Sequence, residues 1–249
     1  MFVHNIDPVL LRFFGLEIRY YGLIFVLGFL FVLWYLTKYH EKAGLTKDDV
    51  YDFMIWLLVG VFIGARLGEV IFYNLGYYLD NPSQIIAFWR GGLSFHGGLI
   101  GAVIVGYYFY KKRNFDFYKM ADIVVVPLAL ALAFGRLANF INGELYGTIT
   151  TLPWAVKFPG VEGFRHPSQL YEILKNLVIF FTLWKIKDKK FKKGFLFWLF
   201  ITMYGFIRTF VHFVRVPTTT VFGISVGQLF SFAMFIIGLY ILLTRYRKK

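Results

Sequence analysis

The chain has 249 residues, 58% of them hydrophobic and 22% aromatic but only 16% charged, with a mean hydropathy of +0.61. A soluble domain carries closer to a quarter charged residues, so the composition excludes one and marks an integral membrane protein. Cysteine is absent, which excludes disulfides, thiolate metal sites and a cysteine nucleophile; any thiol chemistry must use a thiol from a substrate.

Apolar stretches of about 20 residues, the length a membrane-crossing helix needs, recur along the chain. They predict seven spans, at about 19–38, 51–72, 93–110, 121–141, 169–186, 195–214 and 225–244. The short alternating segments of a transmembrane β-barrel are missing. The expected fold is therefore all-α and polytopic, a single membrane domain over residues 1–249. Met1 to Glu17 contains Asp7, Pro8, Arg12 and Glu17 and lacks the pattern of a cleaved leader, so the first span is expected to stay as an anchor. Residues 142–168 hold Thr148, Thr150, Thr151, Pro153, Pro159, Gly160 and Gly163, too polar to span, and predict a small cap outside the membrane.

The net charge of +13 sits in alternate loops. Lys38, Lys42 and Lys47 follow the first span, Lys111, Lys112, Arg113 and Lys119 the third. Lys185, Lys187, Lys189, Lys190, Lys192 and Lys193 follow the fifth, and Arg245, Arg247, Lys248 and Lys249 the last. The remaining loops hold only Arg12, Arg19, Arg90, Lys157, Arg165 and Arg215. The bias of basic residues toward the cytoplasm then places the N-terminus outside, the C-terminus inside and the cap in the periplasm. Such clusters suit anionic lipid headgroups, and nucleic acid is not an expected partner.

The intramembrane polar residues sort to one side. Arg19, Tyr20 and Tyr21 open the first span, Arg66 and Glu69 close the second, and Ser94 and His96 open the third. Arg136, Asn139 and Asn142 close the fourth, His166, Ser168, Gln169, Tyr171 and Glu172 open the fifth, and Arg208, His212 and Arg215 close the sixth. With the topology above, all fall in the outer half of the membrane. A charge at the bilayer centre costs roughly 2.5–3.5 kcal/mol on insertion scales and needs a compensating role. Arg136 and Asn139 share a helix face, and Arg208, His212 and Arg215 form one stripe. Arg66 and Glu69, three apart, predict an intrahelical ion pair. Several arginines aimed at one polar chamber repel unless an anion lies between them, and guanidinium matches phosphate oxygens bidentately. The anion most available there is a phospholipid headgroup. His96 supplies an imidazole for general-base work near neutral pH, although a lone membrane histidine is as often a packing hydrogen-bond donor. Gly97, Gly98 and Gly101 mark close backbone approach, more often to a neighbouring helix than to a ligand.

Five ordered segments carry a resemblance over nearly the full length: Ile18–Gly22 (Ile-Arg-Tyr-Tyr-Gly), Gly91–Gly101, Gly135–Glu144 (Gly-Arg-Leu-Ala-Asn-Phe-Ile-Asn-Gly-Glu), His166–Glu172 (His-Pro-Ser-Gln-Leu-Tyr-Glu) and Phe222–Gln228. The chain resembles the bacterial phosphatidylglycerol–prolipoprotein diacylglyceryl transferases. The family usually has glycine where Ala138 stands, arginine at the position of Thr148 and glutamate at that of His212.

The resemblance implies transfer of an sn-1,2-diacylglyceryl group from phosphatidylglycerol to the lipobox cysteine thiol of a prolipoprotein signal peptide, with release of glycerol 1-phosphate. The sequence carries no metal or nucleotide motif, so no cofactor or metal is expected. It implies a phosphate clamp of Arg136 and Arg208, and a lipid site shaped by Tyr21, Asn139 and Gly147. Asn142, His212 and Arg215 are expected to line it, Glu144 to supply a carboxylate and His96 to take the thiol proton. The alternative reading of the polar chamber is a transporter or channel for an anionic solute; the off-centre polar set and the lack of an internal repeat speak against it.

Overall fold

The computed structural model describes residues 1–88, 91–113, 115–217, 220–221 and 223–246. Of the residues named above, Arg90, Phe222, Arg247, Lys248 and Lys249 lie outside the described residues. Seven long helices fall where spans are expected: α1 (Tyr20–Ala43), α2 (Lys47–Gly68), α4 (Phe95–Arg113), α5 (Phe117–Ile141), α6 (Ser168–Ile186), α7 (Phe195–Val211) and α8 (Val226–Arg245), with a short α3 (Leu75–Asp80) after α2. Among the described residues, α1, α5, α8, α2 with its π-helical extension to Tyr73, and α7 with its last turn to Val214 are long and apolar enough to cross a membrane by length and composition. The other two fall short of that test because α6 contains Glu172, Lys175 and Lys185, and α4 is diluted by glycine, tyrosine and its terminal lysines.

The sequence periodicity did not foresee three small two-stranded pairings. β1 (Phe2–Val3) runs parallel to β4 (Val156–Lys157), β2 (Val9–Phe13) and β3 (Leu16–Arg19) form a hairpin, and β5 (Thr220–Val221) pairs with β6 (Ile224–Ser225). The two-residue strands β1, β4, β5 and β6 are too short to show an alternating pattern. The five residues of β2 read as an apolar run without clean alternation, and β3, with four, is at the lower limit of length for such a pattern.

The chain divides into two compact units, one of residues 1–35 and 121–249, the other of residues 36–120. In the second unit α2 and α4 pack antiparallel through glycine. A Cβ placed on Gly64 or Gly68 would run into the backbone of Gly97, and one on Gly101 into that of Gly60. The Gly60, Gly64, Gly68 series facing Gly97 and Gly101 is the small-residue spacing that lets membrane helices approach closely, so these glycines serve helix packing. At the far end Arg113 ties the two helices, 3.2 Å from Asp49 and 2.6 Å from Asp52. Thr46 and Asp49 form a capping box at the start of α2.

In the first unit Asp122 of α5 caps α7 from a distance, its carboxylate accepting from the Gly194 and Phe197 amides at 2.7 and 2.8 Å. α7 and α8 run antiparallel, with Gly205 against Ser231 and Phe235, and Gly238 against Thr202. Phe31 and Tyr35 of α1 reach the Phe180 and Trp184 rings of α6. The end of α5, the start of α6 and the end of α7 therefore meet at one end of this unit, opposite the Asp122 cap. The cap segment closes over that end. Isolated bridges join Gly147 to Arg215, and Ile149 and Val156 to Arg165, and β4 binds β1. His4 is buried beneath it, its Nε2 2.7 Å from the Phe140 carbonyl and its ring between Phe140 and Phe158.

Candidate active site

The turn after α5 sets the geometry. Gly143 and Leu145 take positive φ values of 70° and 60°, which turns the chain sharply and brings Glu144 back over the helix end. Its carboxylate accepts from Asn139 Nδ2 at 2.7 Å and, at the limit of 3.5 Å, from Asn142 Nδ2. The start of α6 then grips this turn: Ser168 Oγ donates to the Leu145 carbonyl at 2.8 Å and Gln169 Nε2 to that of Glu144 at 2.6 Å. Both residues are buried. One helical turn on, this grip fixes Glu172.

Glu172 is the centre of the site. It is 2% exposed and four cations converge on it. Its Oε1 accepts from Arg208 Nη1 at 2.8 Å and lies 3.7 Å from Arg215 Nη1; its Oε2 is 2.5 Å from Lys175 Nζ and 4.0 Å from Arg136 Nε. Tyr204 lies between two of the cations, its ring centroid 3.7 Å from Lys175 Nζ and 5.6 Å from the Arg208 guanidinium. Arg136 also donates to Asn139 Oδ1 at 3.3 Å, which links the cation cluster to Glu144. Tyr21, at the start of α1, is within electrostatic reach of both Arg136 and Glu144. Four cations against one carboxylate leave a surplus of three positive charges around Glu172, with guanidinium donors unspent among the described residues. That is the electrostatics of an anion site.

The sequence expectations for Arg136, Asn139, Asn142, Glu144, Arg208 and Arg215 thus meet at one place. Three other residues have packing roles. Gly147 donates to the His166 carbonyl at 2.9 Å, and a Cβ there would meet the Val214 carbonyl and His166; only glycine lets the cap lie so close to the end of α7. Thr148 continues that contact, its amide donating to the Val214 carbonyl at 2.9 Å. His212 fits against Gly227, where a Cβ would strike its ring, and its buried Nε2 has no hydrogen-bond partner among the described residues.

His96 belongs to the second unit, where its Nδ1 lies 3.2 Å from the Tyr73 hydroxyl. Arg66 departs from expectation. The predicted pair with Glu69 does not form among the described residues. Instead the guanidinium donates to four carbonyls, of Gln84, Ile85, Gly91 and Gly92, at 2.6–2.8 Å, while Glu69 accepts from Asn74 at 2.7 Å. Arg66 is buried and stacked over Tyr78; it is a staple for the loop before α4. The sequence reading missed Lys175. The available signal was its charge three residues after Glu172 inside an apolar run, where a lone lysine demands a partner.

Fold and site define a polytopic membrane protein with a buried cationic centre suited to a phosphate group. The family profile described as prolipoprotein diacylglyceryl transferase matches residues 8–244. Proteins named phosphatidylglycerol–prolipoprotein diacylglyceryl transferase are similar over almost the whole length. That of Geobacter sulfurreducens is 43% identical over 98% of this chain and 97% of its own. That of Aliivibrio fischeri is 44% identical over 98% and 89%, and that of Bordetella avium 42% identical over 97% and 96%. The chain belongs to the prolipoprotein diacylglyceryl transferase family.

Proposed function

We propose that this chain moves the diacylglyceryl group of phosphatidylglycerol onto the thiol of a lipobox cysteine in a prolipoprotein, the first step of lipoprotein maturation, at the outer leaflet of the bacterial inner membrane. Both compact units belong to this one transferase domain. The observation that carries the reading is the convergence of Arg136, Arg208 and Arg215 on a single carboxylate, in a chain that matches this family over residues 8–244.

The reaction needs a nucleophile that the chain lacks, since it has no cysteine, and the prolipoprotein supplies it. The cysteine thiolate attacks the glyceryl carbon that bears the phosphate ester. A thioether forms, the C–O bond breaks, and its electron pair stays on the phosphate oxygen of departing glycerol 1-phosphate. Charge grows on the phosphate as that bond breaks, and a fixed guanidinium there stabilises the transition state more than the bound lipid. In this reading Arg136 and Arg208 clamp the phosphate and Arg215 adds charge from the side. Asn139 and Glu144 hold Arg136 in place, and Tyr21 and Asn142 border the headgroup. Gly147 and His212 shape the wall where the cap meets α7. His96 takes the thiol proton, a modest task for a thiol of pKa about 8.5.

The test is incubation of the detergent-solubilised protein with phosphatidylglycerol and a lipobox peptide, with no ion gradient. A diacylglyceryl mass gain on the cysteine supports the reading. Absence of any gain with folded protein overturns it.

A further inference from the structure

Lys175 has no part in the mechanism above, yet its side chain is 0% exposed within the apolar run of α6. A buried ammonium in a spanning helix is costly and is kept where it has work to do. Building on the transferase reading, we propose that Lys175 is a positioning residue: by holding Glu172 Oε2 it keeps the Arg136 guanidinium available to the substrate phosphate.

The two oxygens of Glu172 are shared unequally among the four cations. Oε1 is taken by Arg208 at 2.8 Å and Oε2 by Lys175 at 2.5 Å, which leaves Arg215 and Arg136 outside hydrogen-bond distance at 3.7 and 4.0 Å. The Tyr204 ring, 3.7 Å from Lys175 Nζ, holds the ammonium in place by a cation–π contact. Without Lys175, Oε2 becomes the strongest acceptor near Arg136. A guanidinium makes a strong charge-assisted hydrogen bond to a free carboxylate oxygen, so Arg136 would collapse onto Glu172 Oε2 and meet the lipid already neutralised. Substrate binding would then have to pull it free. A protein whose competent state is only partly populated shows a weaker apparent affinity by that fraction, whereas saturating substrate restores the competent state. The signature is a raised KM at a nearly unchanged kcat.

The experiment compares wild type, K175M, K175R and the double variant K175M/E172Q in the transfer assay, and titrates each with dihexanoyl phosphatidylglycerol by calorimetry in the absence of peptide. K175M is expected to raise KM and weaken lipid binding about tenfold, the size of one charge-assisted hydrogen bond, with kcat within about a factor of two. K175R stays near wild type. K175M/E172Q recovers most of the lost affinity, because no carboxylate remains to capture Arg136. If K175M does not purify as a monodisperse protein, K175Q replaces it in the same comparison. Unchanged affinity in the charge-removing variant, a fall in kcat at constant KM, or failure of the double variant to recover affinity would each overturn the proposal. The calorimetric titration decides Lys175 even if wild type transfers nothing, an outcome that would sink the transferase reading separately.

Discussion

Arg208 of α7 donates through Nη1 to Glu172 Oε1 of α6 at 2.8 Å, and the same carboxylate holds Lys175 from its own helix. This joint makes Glu172 the counter-ion on which the cationic centre rests. Glu172→Gln keeps the shape and removes the charge, leaving a fully buried lysine unpaired. Breaking a buried pair in this way costs about 3–5 kcal/mol. A clear drop in the thermal unfolding midpoint in detergent is expected, with part of it regained when Lys175→Met is added, because Arg208 still lacks its carboxylate partner. A midpoint equal to wild type for the single variant would mean that the pair does not hold α6 to its neighbours.

Gly147 tests the cap. Its Cα faces the Val214 carbonyl and His166 with no room for a methyl group. Gly147→Ala must push the cap away from the end of α7, at roughly 1–3 kcal/mol for overpacking. Faster proteolysis of the segment around residues 145–165 and a loss of transfer are expected together. Lost transfer with a cap as protected as in wild type would point instead to direct contact between Gly147 and the lipid.

Much of this was legible in the sequence because the physics involved is local. Seven apolar lengths match seven long helices among the described residues, and the three-residue spacing puts Arg136 and Asn139 on one face of α5. The single helical stripe expected of Arg208, His212 and Arg215 does not form, because α7 ends at Val211 and Arg215 is extended backbone bridged to Gly147; that bridge, not the helix period, positions Arg215 near Glu172. Topology then brought them to one end. What stayed hidden depends on tertiary partners. Arg66 sits three residues from Glu69, and spacing alone predicts a pair; the structure offers it the carbonyls of Gln84, Ile85, Gly91 and Gly92, and no sequence period announces where those carbonyls point. Glu172 was visible as one polar residue among several, but its role as the shared counter-ion appears only when α5, α6 and α7 meet. Lys175 was passed over because its surroundings read as ordinary apolar span.

His96 carries a separate prediction. If it takes the thiol proton, His96→Gln lowers the single-turnover rate while lipid affinity measured by calorimetry stays close to wild type. A single-turnover rate unchanged at every pH would remove it from the chemistry and leave it as the partner of Tyr73, 3.2 Å away.

The cap should loosen in acid. Partial burial holds the His166 imidazole below its ordinary value, and Nδ1 lies 3.2 Å from the Tyr171 hydroxyl, itself bonded to Trp154 at 2.7 Å. The unfolded cap therefore takes up a proton more readily than the folded one. The folded cap keeps its full stability above the free value of about 6.5 and loses it as pH falls below that. Hydrogen exchange of residues 145–166, corrected for intrinsic rates, should rise between about pH 7.5 and about pH 5.5 in wild type and stay flat in His166→Asn. Equal pH responses in both proteins would assign the effect elsewhere.

In the proposed reaction the cationic centre binds and polarises the lipid phosphate, and Arg136 is its most accessible member, with a side chain 22% exposed and 4.0 Å from its nearest carboxylate oxygen. The comparison is made on variant protein that elutes monodisperse and keeps its helical content. The most direct measurement is the mass of a lipobox peptide after incubation with phosphatidylglycerol and either wild type or Arg136→Ala. The account predicts a diacylglyceryl gain with wild type and a rate lower by at least about a hundredfold with the variant, the scale of losing one electrostatic stabiliser of a transition state. Equal gains from both proteins would contradict it.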